Sequence, residues 1–152
     1  MGNCITKSIL RNTNQDNIKK FSLKGHKYIA KVVNVYDGDT ITVLIRYRMK
    51  THKFRVRMYG YDSPEMKPRQ DDPNRYKIKE AALKAKMKLL EKIDNKIVEL
   101  DCGSFDKYGR LLGTVYLRDN CCKSSININQ WMINNNYGYR YNGGKKRDNI
   151  TN

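Results

Sequence analysis

Acidic residues are scarce in this sequence. Asp and Glu number 15 against 31 Lys and Arg in 152 residues, a formal net charge of +16. That imbalance excludes an acidic solvating tail and points to a polyanionic partner, either nucleic acid or an anionic membrane face. Long hydrophobic runs are also missing. No stretch of about 18 apolar residues exists, so no helix is expected to span a bilayer. The N-terminus lacks the basic, apolar and small-residue succession of a secretory signal. Cysteine is sparse. Cys4, Cys102, Cys121 and Cys122 contain no C-x-x-C pair, and neither His26 nor His52 completes a zinc pattern with them. The four are read as free thiols of a reducing, intracellular compartment. At this length a single domain is expected, able to bury about two-thirds of its unfolded surface without disulfides.

The positive charge is spread along the chain. Residues 1–30 carry a net +5, residues 31–137 a net +8 and residues 138–152 a net +3. The central part is therefore basic in its own right, as binding to a phosphate backbone requires. Residues 1–24 are polar, rich in Asn and Lys and without clear periodicity, and read as a flexible basic arm. From Lys27 the pattern changes. Residues 28–36, 40–45, 54–59, 96–100 and 111–117 are β-branched, aromatic or alternating, and predict five strands. Asp37-Gly38 supplies the first turn. Residues 62–74 hold all three prolines and many charges, a loop long enough to suggest function.

Ile78, Ala81, Ala82, Ala85 and Leu89 then fall at helical spacing and predict a long helix over about 75–92, with Asn74 as its N-cap. A short helix is expected over about 129–135, carrying Trp131 and Met132. The resulting fold class is α+β, mainly β: a five-stranded Greek-key barrel of the oligonucleotide-binding (OB) type with one long and one short helix, over residues 25–142. Residues 143–152 read as a frayed basic tail.

Three short clusters carry chemistry: Asp37-Gly38-Asp39-Thr40, then Arg57 with Asp62-Ser63-Pro64-Glu65, then Asp106-Lys107-Tyr108-Gly109-Arg110. Singly, each also has a structural reading as a hairpin turn or a helix start. Jointly they place acids on a basic protein, where acids repel phosphate unless a cation lies between. A hard cation such as Ca²⁺ takes six to eight oxygen ligands. It also screens phosphate and acidifies bound water. Arginine clamps phosphate with its planar fork, and a carboxylate not needed by the metal takes a proton from water. These are the components of metal-assisted phosphodiester hydrolysis.

In this order the three blocks resemble the staphylococcal-nuclease-like (thermonuclease) family, with similarity running from about Lys27 to Tyr141. The resemblance implies the same OB barrel and an endonuclease that uses one Ca²⁺ ion. Such an enzyme hydrolyses DNA and RNA at the 5′ side of the phosphodiester and leaves 3′-phosphates. It implies Asp39 and Asp62 as metal ligands with the Ser63 backbone carbonyl, and Glu65 as the residue that positions or deprotonates the attacking water. Arg57 would hold the scissile phosphate, with Arg55 as the competitor two residues out of register. Arg110 would stabilise the developing charge. Lys107 and Tyr108 lie beside that arginine as substrate-binding candidates. Tyr139 and Tyr141 both suit the family's substrate-contacting tyrosine. With Tyr137 they would share one strand face, either stacking bases or packing on the core. Ser63 stands where the founding bacterial enzyme has threonine, and that enzyme's long C-terminal helix is expected to be missing.

Met1-Gly2-Asn3-Cys4-Ile5-Thr6 matches an N-myristoylation pattern at Gly2, with Cys4 as a palmitoyl candidate. Lys7, Arg11, Lys19, Lys20 and Lys24 provide the basic segment that helps one acyl chain hold a membrane. The competing reading of the whole chain is a non-catalytic nucleic-acid-binding OB module, membrane-tethered or not. Retention of Asp39, Asp62, Glu65, Arg57 and Arg110 favours the enzyme. No protein partner can be inferred.

Overall fold

The computed structural model describes residues 2–118 and 125–144. Alternation of apolar and polar residues sets the strands. In β2 (Thr40–Tyr47) Ile41, Val43 and Ile45 are buried. In β3 (Lys50–Met58) Val56 and Met58 point inward while Arg55 and Arg57 lie on the other face. In β1 (Lys27–Val35) Ala30 and Val32 face the core. The register then shifts between Val32 and Asn34, so that Val35 also turns inward.

β1 pairs antiparallel with β2 and with β5 (Ile97–Phe105), β2 with β3, and β5 with β6 (Leu111–Arg118). A parallel pairing of β3 with β6, Val56 opposite Leu111 to Met58 opposite Gly113, closes the ring. The result is the five-stranded barrel expected from the sequence. Short pairs extend it: β4 (Tyr61–Asp62) with β8 (Tyr139–Arg140), and β7 (Ser125–Asn127) along β6.

The helices α1 (Gly2–Arg11), α2 (Arg75–Ile93) and α3 (Ile128–Asn134), with a single 3-10 turn (Gln15–Asn17), complete the described elements. α2 buries Ile78, Ala82, Ala85, Leu89 and Ile93 along one stripe. Asn74 stands at its N-cap position without a side-chain cap bond. α3 sits where the short helix was expected, its first turn capped by the Asn127 side chain accepting from Gln130 N.

The N-terminal arm requires correction. Residues 2–11 form the helix α1, with Ile5 and Ile9 four apart on one face and Lys7 and Arg11 on another. Further on, Leu23 is buried in the core, and Phe21 meets Tyr47 edge-on at 5.6 Å and Phe105 at 6.3 Å. The barrel's packing thus reaches back to residue 21, because these two apolar side chains cover an end of the sheet. The three C-terminal tyrosines do not share one strand face either. Only Tyr139 lies in a strand, and Tyr137 packs on Trp131 at 5.7 Å. The expected tail from residue 145 onward, with Cys121 and Cys122, lies outside the described residues.

Candidate active site

Three chain segments meet at one mouth of the barrel. The first is the β1–β2 turn. Asp37 Oδ1 accepts from Asp39 N at 3.1 Å and Thr40 Oγ1 donates to Asp39 Oδ1 at 2.9 Å. Asp39 Oδ2 accepts from both the amide (3.0 Å) and the hydroxyl (2.9 Å) of Ser63, tying this turn to the loop after β4. Gly38 is required there. A Cβ would come within 2.8 Å of the Ser63 Cβ and 3.0 Å of the Ala85 Cβ, so the turn lies directly against α2. Tyr61 pins the same turn by donating its hydroxyl to Gly38 O at 2.7 Å.

The second segment is β3 with β4. Arg57 projects from β3 between Asp39 and Asp62 and ion-pairs with both. Its Nη1 is buried beside Asp39 yet has no well-directed hydrogen bond. Asp62 is held from its other side by the Tyr139 hydroxyl, which donates to Oδ2 at 2.9 Å. Here too a glycine permits close passage, since a Cβ on Gly138 would stand 2.6 Å from Asp62 O. Arg55 is not part of this cluster. It is exposed and lies over the Tyr36 ring at 4.7 Å.

The third segment is the β5–β6 hairpin, organised by Asp106. Its Oδ1 accepts from the amides of Tyr108 and Arg110, each at 2.9 Å, and Oδ2 accepts from Arg110 Nε at 2.7 Å. Arg110 is thereby fixed, and both it and Lys107 stand over the exposed Tyr108 ring, at 5.5 and 5.1 Å. A cavity of about 380 Å³ opens between the second and third segments. Arg57, Arg110, Lys107, Tyr108 and Tyr141 line it.

Electrostatics follow burial. Burial raises the Asp37 carboxyl above its ordinary value, against the pull of the Thr40 hydrogen bonds and of Arg57 and Arg110. Burial likewise pushes the Tyr61 phenol far up, so it stays a neutral donor. At Asp106 burial acts in the same sense, but the hydrogen bonds from Arg110 and Tyr108 prevail and hold the carboxyl below its usual range.

The fold thus gathers Asp39, Asp62, Ser63 and Arg57 into one bonded cluster, with Arg110, Lys107, Tyr108 and Tyr141 around the adjoining cavity. Tyr139 contacts Asp62, and Glu65 is exposed and does not line the cavity. Sequence reasoning assigned no role to Asp37, Tyr61 or Asp106. For Asp106 a signal existed, because an Asp opening a turn that ends in Gly109-Arg110 can accept from amides two and four residues on.

By donor chemistry the cluster suits a hard cation. Two buried carboxylates converge on one point through oxygen, the ligand type such ions take. The described residues contain no group of three or more His, Cys, Asp or Glu around a common point, so backbone carbonyls, water and phosphate would have to complete a shell. The Arg57 guanidinium, ion-paired with both carboxylates, is the positive charge that stands between them.

Comparison with known proteins finds a family and several relatives. Residues 55–151 match the family described as staphylococcal nuclease homologue. Over 104 residues the chain is 34% identical to an uncharacterized endonuclease of Escherichia coli O157:H7, covering 68% of this chain and 55% of that protein. It is 35% identical over 123 residues to an uncharacterized protein of Bacillus anthracis, covering 78% and 50%. It is 29% identical over 127 residues to an uncharacterized protein of Methanocaldococcus jannaschii, covering 74% and 58%. The chain thus spans about half the length of these relatives.

Proposed function

The chain belongs to the staphylococcal nuclease homologue family, and from that premise we propose that it is a Ca²⁺-dependent endonuclease acting on DNA and RNA. The proposed cleavage is on the 5′ side of the phosphodiester and leaves 3′-phosphates. One observation carries this reading: the Asp39–Arg57–Asp62 cluster adjoins a cavity lined by Arg110, Lys107 and Tyr108. A metal-binding acid pair beside an arginine-lined pocket is what phosphodiester hydrolysis needs.

Asp39, Asp62 and the Ser63 carbonyl would hold the ion, whose chemistry when bound is to screen phosphate charge and acidify water. Arg57 binds the scissile phosphate, and Arg110, set by Asp106, meets the charge that builds on its equatorial oxygens. Glu65 takes the proton of the attacking water. Tyr139 keeps Asp62 in place. Tyr141 and Tyr108 border the cavity, where an aromatic face suits a base.

The purified protein should degrade single-stranded DNA with added Ca²⁺ and stop when the ion is chelated, and Asp39→Ala should be inactive. Degradation unaffected by chelation would remove the metal from the mechanism. Binding of DNA without cleavage under all metal conditions would return the chain to the non-catalytic module.

The exposed N-terminal helix supports a second site of action. Ile5, Ile9 and Leu10 are each more than 60% exposed, and Lys7 and Arg11 are the charged residues of the same helix. Such a helix suits the surface of an anionic membrane on the cytoplasmic side, where acylation at Gly2 or Cys4 would strengthen the hold. Intact mass of the protein made in eukaryotic cells reads the acylation.

A further inference from the structure

The cavity beside Arg57 is not isolated. A second one, of about 350 Å³, shares Tyr59 and Leu112 with it as a common wall and continues along β5 and β6. Lys24, Asp101, Ser104 and Thr114 line it, together with Gly103. Tyr59 stands at the junction and is 52% exposed.

The backbone beneath that ring is rigid. Tyr59 N donates to Gly113 O at 2.8 Å, and Tyr59 O accepts from Asn129 Nδ2 at 2.8 Å. Asn129 is itself buried and also binds Gly113 O at 3.1 Å and Val115 N at 2.9 Å. Tyr59 is therefore an exposed aromatic plate on a fixed base between two cavities. One cavity carries the arginines. The other ends in a lysine and offers a carboxylate and hydroxyls along its wall.

We propose that Tyr59 and the second cavity form a subsite for the neighbouring nucleotide of a single strand whose reacting phosphate lies at Arg57 and Arg110. This rests on the reading of the site as a nuclease. The chemistry assigns each part. The Tyr59 face stacks the base, which every base permits. Asp101, Ser104 and Thr114 meet polar groups of the base edge and sugar. The acid makes this wall unsuited to phosphate, which falls instead to Lys24. An OB barrel engages about 4–16 nucleotides, whereas the first cavity, at about 380 Å³, is the size of a single small-ligand site. A further subsite is needed, and this cavity shares Tyr59 and Leu112 with the first.

The test uses the full chain with a single nucleotide, thymidine 3′,5′-bisphosphate, and a phosphorothioate-linked oligothymidylate of eight residues, which resists hydrolysis. Affinities are read by fluorescence anisotropy with Ca²⁺ and with chelator. Tyr59→Ala should weaken the eight-residue strand about tenfold more than the single nucleotide, and Tyr59→Phe should restore it. Lys24→Gln should weaken the eight-residue strand and lower its salt slope by about 0.7. Equal weakening of both ligands by Tyr59→Ala would place the ring in the first cavity alone, and no weakening by either variant would remove the subsite. The two readings separate cleanly. A wild-type protein that shows the length-dependent loss at Tyr59 but cleaves nothing with Ca²⁺ keeps the subsite and loses the nuclease. One that cleaves but is indifferent to Tyr59 and Lys24 does the reverse.

Discussion

Arg110 reaches the cavity only because Asp106 accepts from both its backbone amide and its Nε. Asp106→Asn keeps an oxygen for the amides but loses the charged pair, so the guanidinium loosens. The expected outcome is a kcat lowered by up to about 100-fold with KM little changed, read from steady-state cleavage. The same substitution has a pH signature. The folded-state pKa of Asp106 is lowered, so its contribution to stability is present above the ordinary carboxylate range and is lost as pH falls through the lowered value. Denaturant midpoints of wild type and variant should differ at pH 7 and converge in acid. Glu65 is tested differently. Glu65→Gln should cut turnover by about 10²–10⁴-fold while Ca²⁺ affinity by calorimetry stays largely intact. Loss of affinity alone would make Glu65 a ligand rather than a base. Of the residue-scale features, the acids and arginines were legible as residue types at motif spacing. The partner of each was not, since Asp39 finds Ser63 across 24 positions and Asp62 finds Tyr139 across 77.

At the scale of elements, α3 illustrates how a short helix organises a site it does not line. Its Asn129 side chain joins the backbones of β6 and of Tyr59 through three hydrogen bonds in the interior. Asn129→Leu leaves a buried amide at Val115 without an acceptor and should cost about 2–4 kcal/mol, read as a lower denaturant midpoint at unchanged slope. The five barrel strands and α2 were legible because apolar residues recur at period two or at helical spacing along each. β4 and β8 were not, because a two-residue pairing leaves no periodic trace and exists only when distant segments meet. α1 escaped notice for another reason. Its apolar residues are few and cover no core, so the polar composition of residues 1–24 masked a short amphipathic stretch.

For the whole molecule, the net charge of +16 sets the range of polyanions the chain meets, and among the described residues its N-terminal segment holds Ile5, Ile9, Leu10, Ile18 and Phe21 as exposed large apolar side chains. The full chain should float with phosphatidylserine vesicles at low salt and far less at high salt. Replacing Ile5 and Ile9 together by Glu should abolish flotation without changing thermal stability. Flotation that survives that double change would locate membrane contact elsewhere. Composition, periodicity and motif order by themselves determined a basic OB barrel with one long helix and the acid and arginine set of a nuclease family, because these depend on residue type and local spacing. Only the tertiary structure decided that Arg57 rather than Arg55 stands between Asp39 and Asp62, that Tyr139 holds Asp62 while Tyr141 faces the cavity, and that Tyr59 divides two cavities. Those outcomes depend on closure of the barrel between β3 and β6, a pairing between strands more than fifty residues apart that no local pattern encodes.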